Sequence, residues 1–187
     1  MEITLGLHAP FCQGADAQAW LGQPRLGCAA LLSLLETHLG LLAPQPTQTE
    51  RVAAYLVCLR QADHEHRFFH ASLQVDEAGA AAELLQWRDE WRLGGWAGGA
   101  RPQDPARLQD MAAVEQHAAA GLPWGQAERL AAVAAALDRR GVPIASLLLQ
   151  DPLEAFPWAW QQVIRRLPWQ APAAAAPGAT GALARLQ

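Results

Sequence analysis

The chain of 187 residues contains no lysine and no asparagine, so all fourteen of its basic residues are arginine. A phosphate-binding P-loop ends in GK[ST], and a chain without lysine cannot carry one. Schiff-base chemistry on a lysine amine is excluded on the same ground. Cysteine is also scarce. Cys12, Cys28 and Cys58 are odd in number and widely spaced with no CxxC pair, which supports neither a disulfide framework nor a zinc knuckle. Cys28 and Cys58 fall in helical, partly apolar surroundings and read as buried free thiols.

Other absences narrow the function classes. No apolar run is long enough to span a bilayer, and "MEITLGLHAP" has no basic region ahead of its apolar residues. A cytoplasmic protein with no membrane partner is therefore expected. No GxSxG elbow and no strand-borne GxGxxG occurs. The formal charge of −4 argues against a surface built wholly to grip nucleic acid, although local arginine patches stay open.

What remains is an apolar chain, 51% hydrophobic with only 17% charged residues, as expected for a folded domain with a sizeable core. "EITLGL" alternates and predicts a strand. The turn-rich stretch that follows, from His8 to Gly27, reads as loop. Cys28, Leu31, Leu32, Leu35 and Leu39 then form one helical face that Gly40 ends. Thr47 and Glu50 have capping-box spacing ahead of Val52, Tyr55, Leu56 and Leu59. "RFFHASLQV" alternates as a strand would, and Asp76 caps a helix that runs to about Leu93 and stops at Gly94-Gly95. Asp104-Pro105 opens a helix to about Ala120, with Asp104 as its cap. Another runs from about Gly125 to Arg140. "PIASLLLQD" predicts a parallel strand buried on both faces, and "FPWAWQQVIRRLPW" a last helix. The expected fold is α/β, a helix-rich domain over residues 1–169 with a small, mainly parallel sheet. Residues 170–187 read as an Ala/Pro/Gly linker followed by "LARLQ", the start of a further domain, so the chain is expected to be one module of a longer protein.

Two stretches hold residues with chemical potential. "DHEHRFFH" gathers Asp63, His64, Glu65, His66 and His70, and on a helix His66 and His70 at i, i+4 would share a face. It lacks the glutamate of HExxH and straddles an expected helix end, which leaves His64, His66 and His70 as weak metal candidates beside the plainer reading of a polar turn. "WRDEWRLGGW" packs Trp87, Arg88, Asp89, Glu90, Trp91, Arg92 and Trp96 into ten positions. At 100° per residue the wheel turns Trp87 and Trp91 inward, places Arg88 and Arg92 in the adjoining sector and sends Asp89 and Glu90 to the far sides. Adjacent carboxylates that diverge in this way do not face one substrate atom. Asp89 and Arg92 are expected to pair at i, i+3 on the surface. Arg88, at the border of the apolar sector, is a candidate for a buried ion pair with a carboxylate from elsewhere. Arg88, Asp89, Arg92 and Trp96 thus stand as candidates for an interface or an internal ion pair, and no residue stands as catalytic or cofactor-binding.

The segments "LGCAALLSLLETHLGL", "TERVAAYLVCLR", "FFHASLQVDEAGAAAELLQWRDEWRLGGW" and "IASLLLQDP" together resemble the N-terminal region of AddB-like proteins, which join an inactivated superfamily I helicase core to a PD-(D/E)XK nuclease domain. The resemblance covers about Ile3 to Pro168. It implies a degenerate RecA-like helicase fragment that acts as a non-catalytic scaffold in DNA repair or recombination, with DNA and a partner helicase-nuclease subunit as the contacts. The Mg²⁺ of such a nuclease belongs to the distant C-terminal domain, and no cofactor is expected in this chain. The runner-up is a free-standing protein-binding module, suggested by eight tryptophans in a chain this short.

Overall fold

The computed structural model describes residues 1–7, 24–41 and 45–172. His8, Cys12 and most of the expected first loop lie outside the described residues, as does the linker beyond residue 172. The fold is α/β, with seven helices and a small parallel sheet among the described residues. The chain divides into two compact units: residues 1–33, 143–156 and 167–187, and residues 34–142 with 157–166.

The smaller unit carries the sheet. Strands β1 (Glu2–Leu5), β2 (Arg25–Leu26), β3 (Ser146–Leu149) and β4 (Trp169–Gln170) lie in the order β2-β1-β3-β4, every pairing parallel. Ile3, Leu5, Leu147 and Leu149 alternate onto one buried face. The other face is not covered by the described residues, since Leu148 is 40% exposed. The apolar run of β3 is therefore buried on one side only, a correction to the two-faced burial expected from its composition. Two strands went unpredicted. β2 sits in the expected loop and β4 takes Gln170 from the expected linker, and at two residues each neither is long enough to show a period.

The larger unit is helical. Helix α1 (Cys28–Leu39) belongs to the smaller unit as far as Ser33 and ends in the larger one with a Schellman turn: Leu41 N–H donates to Glu36 O, Gly40 N–H to Thr37 O, and Gly40 takes φ +69°. In α2 (Gln48–Ala62) the capping box is complete, with Glu50 N–H donating to Thr47 Oγ1 at 3.2 Å and Thr47 N–H to Glu50 Oε2 at 2.7 Å. Thr47→Ala should lower the unfolding free energy by about 1 kcal/mol, and Thr47→Asp should not. Equal urea midpoints for the two variants would show that the cap contributes nothing.

In "RFFHASLQV", where a strand was expected, residues 67–69 form a turn and the rest is helical: α3 (His70–Val75) is separated from α4 (Glu77–Leu93) only by Asp76. Phe69 and Leu73, read as alternate strand positions, are also four apart, and both are buried while Ala71 between them is exposed. Asp76 N–H closes α3 on Ser72 O, and Asp76 Oδ1 accepts from Gly79 N–H at 2.9 Å to open α4. Helix α5 (Ala106–Gly121) is capped by Pro105, not by Asp104, whose carboxylate instead accepts from the Arg101 backbone and guanidinium. Helix α6 spans Gln126–Leu137, stopping short of Arg139 and Arg140, and α7 spans Trp158–Ile164. The core of this unit holds Tyr55, Leu59, Phe69, Leu73, Leu85, Met111 and Val114, each at most 3% exposed. Burial of such side chains contributes about 1.5–3 kcal/mol apiece.

Candidate functional site

The tryptophan-arginine stretch forms the last two turns of α4 and a Schellman turn beyond them. Trp96 N–H donates to Trp91 O at 2.8 Å and Gly95 N–H to Arg92 O at 3.1 Å, with Gly95 at φ +101°. Such turns bring an apolar residue past the cap onto one inside the helix, and here Trp96 meets Trp91 edge-on at 5.6 Å. Trp87 stacks on Phe68 at 6.3 Å. The tryptophans nevertheless do not occupy the centre of the buried face. Trp87 and Trp91 are half-buried, whereas Ala81, Leu84, Leu85 and Arg88 are buried, with Arg88 only 3% exposed. The wheel is thus corrected by about one sector, and the residue facing the interior is a cation.

Three carboxylates meet it. Arg88 Nε donates to Glu115 Oε2 at 2.7 Å and Nη2 to Glu115 Oε1 at 2.8 Å, a bidentate pair with α5. Nη2 also reaches Glu128 Oε1 on α6 at 2.8 Å, and Nη1 reaches Asp89 Oδ1 at 3.1 Å. Asp89 does not point away to solvent. Arg51 of α2 grips it from Nη1 at 2.5 Å and Nη2 at 2.9 Å, and Arg51 Nε donates to Pro123 O. The expected surface pair of Asp89 with Arg92 is replaced accordingly: Arg92 lies 3.5 Å from Glu128 and donates to Trp96 O. Three arginines face three carboxylates, so the network of α2, α4, α5 and α6 carries no net charge. Charge pairs taken out of water are tolerated only when matched and fully hydrogen-bonded, as here.

The glycines serve this network. Gly98 has φ +91°, and a β-carbon there would lie 2.7 Å from Glu115 Cγ. A β-carbon on Gly125 would lie 2.6 Å from Arg51 Nη2 and 3.2 Å from Asp89 Oδ1. Gly125 N–H also donates to Glu128 Oε2 at 2.9 Å, so one oxygen of Glu128 opens α6 while the other holds Arg88. "GGWAGG" therefore does more than stop a helix. It lets backbone approach the charged groups.

Burial alone would drive both partners toward neutrality, but the pairing outweighs it. Glu115 and Glu128 hold the Arg88 proton more tightly than water would. Despite its own desolvation, Glu128 is kept below the ordinary glutamate range by the Arg88 charge and by its backbone hydrogen bonds. Groups held so firmly ionised are poorly suited to shuttle protons near neutral pH. The unfolded chain, with glutamate near 4.5, binds the proton more readily, so this contribution is whole above that pH and is lost as pH falls through the depressed folded value. The acid limb of stability should flatten in Glu128→Gln. Urea midpoints measured at a series of pH values that fall in parallel for both proteins would contradict this.

A cleft of 340 Å³ opens onto the network, lined by Arg88, Arg92, Glu115 and Glu128, with Gly98 and Trp124 among the residues at its edge. Beneath it Tyr55 is fully buried, and its hydroxyl has no hydrogen-bond partner among the described residues. Burial pushes up the ionisation of Tyr55 and of the Cys58 thiol nearby, and in the smaller unit it pushes Cys28 to about 11, so both described thiols are disfavoured as thiolates.

The histidines do not converge. His64 Nδ1 accepts from His66 N–H, and the two rings sit edge-on at 6.0 Å, while His70 turns its Nδ1 to Asp63 at 2.9 Å. Among the described residues no three His, Cys, Asp or Glu side chains are placed to hold one metal ion. No helix among them is long and apolar enough to cross a membrane. The signal for Glu115 and Glu128 as partners of Arg88 was absent from any local motif, since they lie 27 and 40 positions away. No family model matches this chain, and no curated protein or solved structure proves similar to it.

Proposed function

We propose that this chain is the non-catalytic N-terminal module of an AddB-like DNA repair or recombination protein, in which it serves as a scaffold. One observation carries the reading. Arg88 and Asp89, charged residues of one of the segments that resemble that family, are engaged with internal partners across four helices. Charged residues engaged in internal pairing are what a scaffold module requires. On this reading the helicase-like character of the fold is degenerate, in keeping with the missing lysine, and contacts to DNA or to a partner subunit belong to the assembled parent. The Mg²⁺-dependent hydrolysis would reside in a separate nuclease domain.

The experiment is to recover the genomic reading frame and express it whole. The frame is expected to continue into a carboxylate-lysine set of the D…(D/E)xK kind, and the parent to degrade linear DNA with Mg²⁺ while residues 1–187 alone do not. A frame without such a set, or nuclease activity in the isolated chain, would overturn the proposal. The exposure of Trp124 and Trp158, 56% and 51%, favours a second reading, a free-standing protein-binding module. An acrylamide titration that left every tryptophan unquenched would remove it.

A further inference from the structure

Within the larger unit, α6 and α7 enclose a groove of 390 Å³ whose walls repeat every four residues. Ala127, Ala131 and Ala135 form the ridge on α6, and Trp158, Gln162 and Arg166 form the ridge on α7. Ala131 and Ala135 are exposed and present only methyl groups, which lets another backbone come close. At one end the Trp158 ring, half-exposed, lies against Gly95, where a β-carbon would stand 3.0 Å from the ring.

The other end is charged. Arg166 is bonded to Asp138 through Nε at 2.8 Å, and Arg139, Arg140 and Arg165 are exposed on the same two helix ends. Four arginines thus stand at these two helix ends, one of them paired with Asp138, in a chain whose formal charge is −4. Cations at helix C-termini complement the dipole, and two bonds do this here: Arg139 Nε to Ala135 O and Arg166 Nη1 to Gln162 O. Four guanidinium groups offer about twenty N–H donors, far more than those bonds use.

We propose that this groove docks an amphipathic helix of a partner protein, with its apolar side chains on the alanine ridge and Trp158 and its acidic side chains against Arg139, Arg140, Arg165 and Arg166. The eight steps of about 1.5 Å from Trp158 to Arg166 give the ridge a length of about 12 Å, matching two turns of a partner helix. The charge identifies the partner's acidic end. A nucleic-acid strand suits the groove less well, because stacking recognition uses successive aromatic platforms and Trp158 is the exposed aromatic on these ridges. The site does not depend on an AddB-like parent, so it stands or falls separately from that proposal.

The test uses the 187-residue chain and two synthetic helical peptides of about 18 residues, some five turns. Both carry leucines at i, i+3, i+4 and i+7, one has glutamates in a terminal turn, and the other has lysines there. Fluorescence polarisation is expected to show the glutamate peptide binding at least about tenfold more tightly. Ala131→Glu, and separately Arg140→Glu with Arg165→Glu, should each weaken it about tenfold with circular dichroism and urea midpoint unchanged. Equal binding of the two peptides, binding of neither, or insensitivity to these substitutions would overturn the proposal. So would preferential binding of a deoxythymidine oligonucleotide, or self-association of the chain that Ala131→Glu abolishes.

Discussion

Arg88→Met lowers the unfolding free energy by about 3–5 kcal/mol, the cost of leaving buried carboxylates without their cation. Glu115, 7% exposed, loses both hydrogen bonds that Arg88 supplied, and Glu128 keeps only backbone amides and Arg92 at 3.5 Å. Methionine fills much the same volume, so the loss reports charge and hydrogen bonding more than a cavity. Arg88→Lys should also be costly, because one ammonium cannot span Glu115 bidentately and reach Glu128 as well. Adding Glu115→Leu to Arg88→Met should recover part of the loss, since an apolar pair replaces an unmatched charge. Urea denaturation of the single and double variants measures each step. An Arg88→Met protein within about 0.5 kcal/mol of the parent would mean that the network is solvated and contributes little.

The second large effect is expected at Gly98. Alanine there meets a backbone at φ +91°, which disfavours any β-carbon, and that carbon would overlap Glu115 Cγ. Gly98→Ala should cost about 2–3 kcal/mol. Gly99→Ala is the internal control, because nothing lies within 4 Å of a β-carbon at that position. It should be neutral within about 0.5 kcal/mol or slightly stabilising. Similar losses for the two substitutions would trace the effect to general loop stiffness and not to the approach of Gly98 to Glu115.

Local signals carried the helices well. Thr47 with Glu50, Asp76, Gly40 and Gly94-Gly95 each act within one turn of chain, and each sits where that chemistry places it. The α3 segment was misread because six residues are too few to separate periods: Phe69 and Leu73 satisfy both. The paired arginine was only half legible. A helical wheel ranks Arg88 by its water affinity and cannot see that α5 and α6 deliver two carboxylates to it. Nor can it see Arg51, whose grip on Asp89 reverses the direction that residue was expected to face.

The loop from Leu122 to Gly125 is fastened on both sides of Trp124: Pro123 O receives Arg51, and Gly125 N–H is held by Glu128. The half-exposed indole between these fastenings is consequently a built-in optical gauge of the ion pairs beneath it. Protonation of Glu128 or removal of the Arg51 grip should therefore change the emission of Trp124, read as the difference between the parent chain and Trp124→Phe.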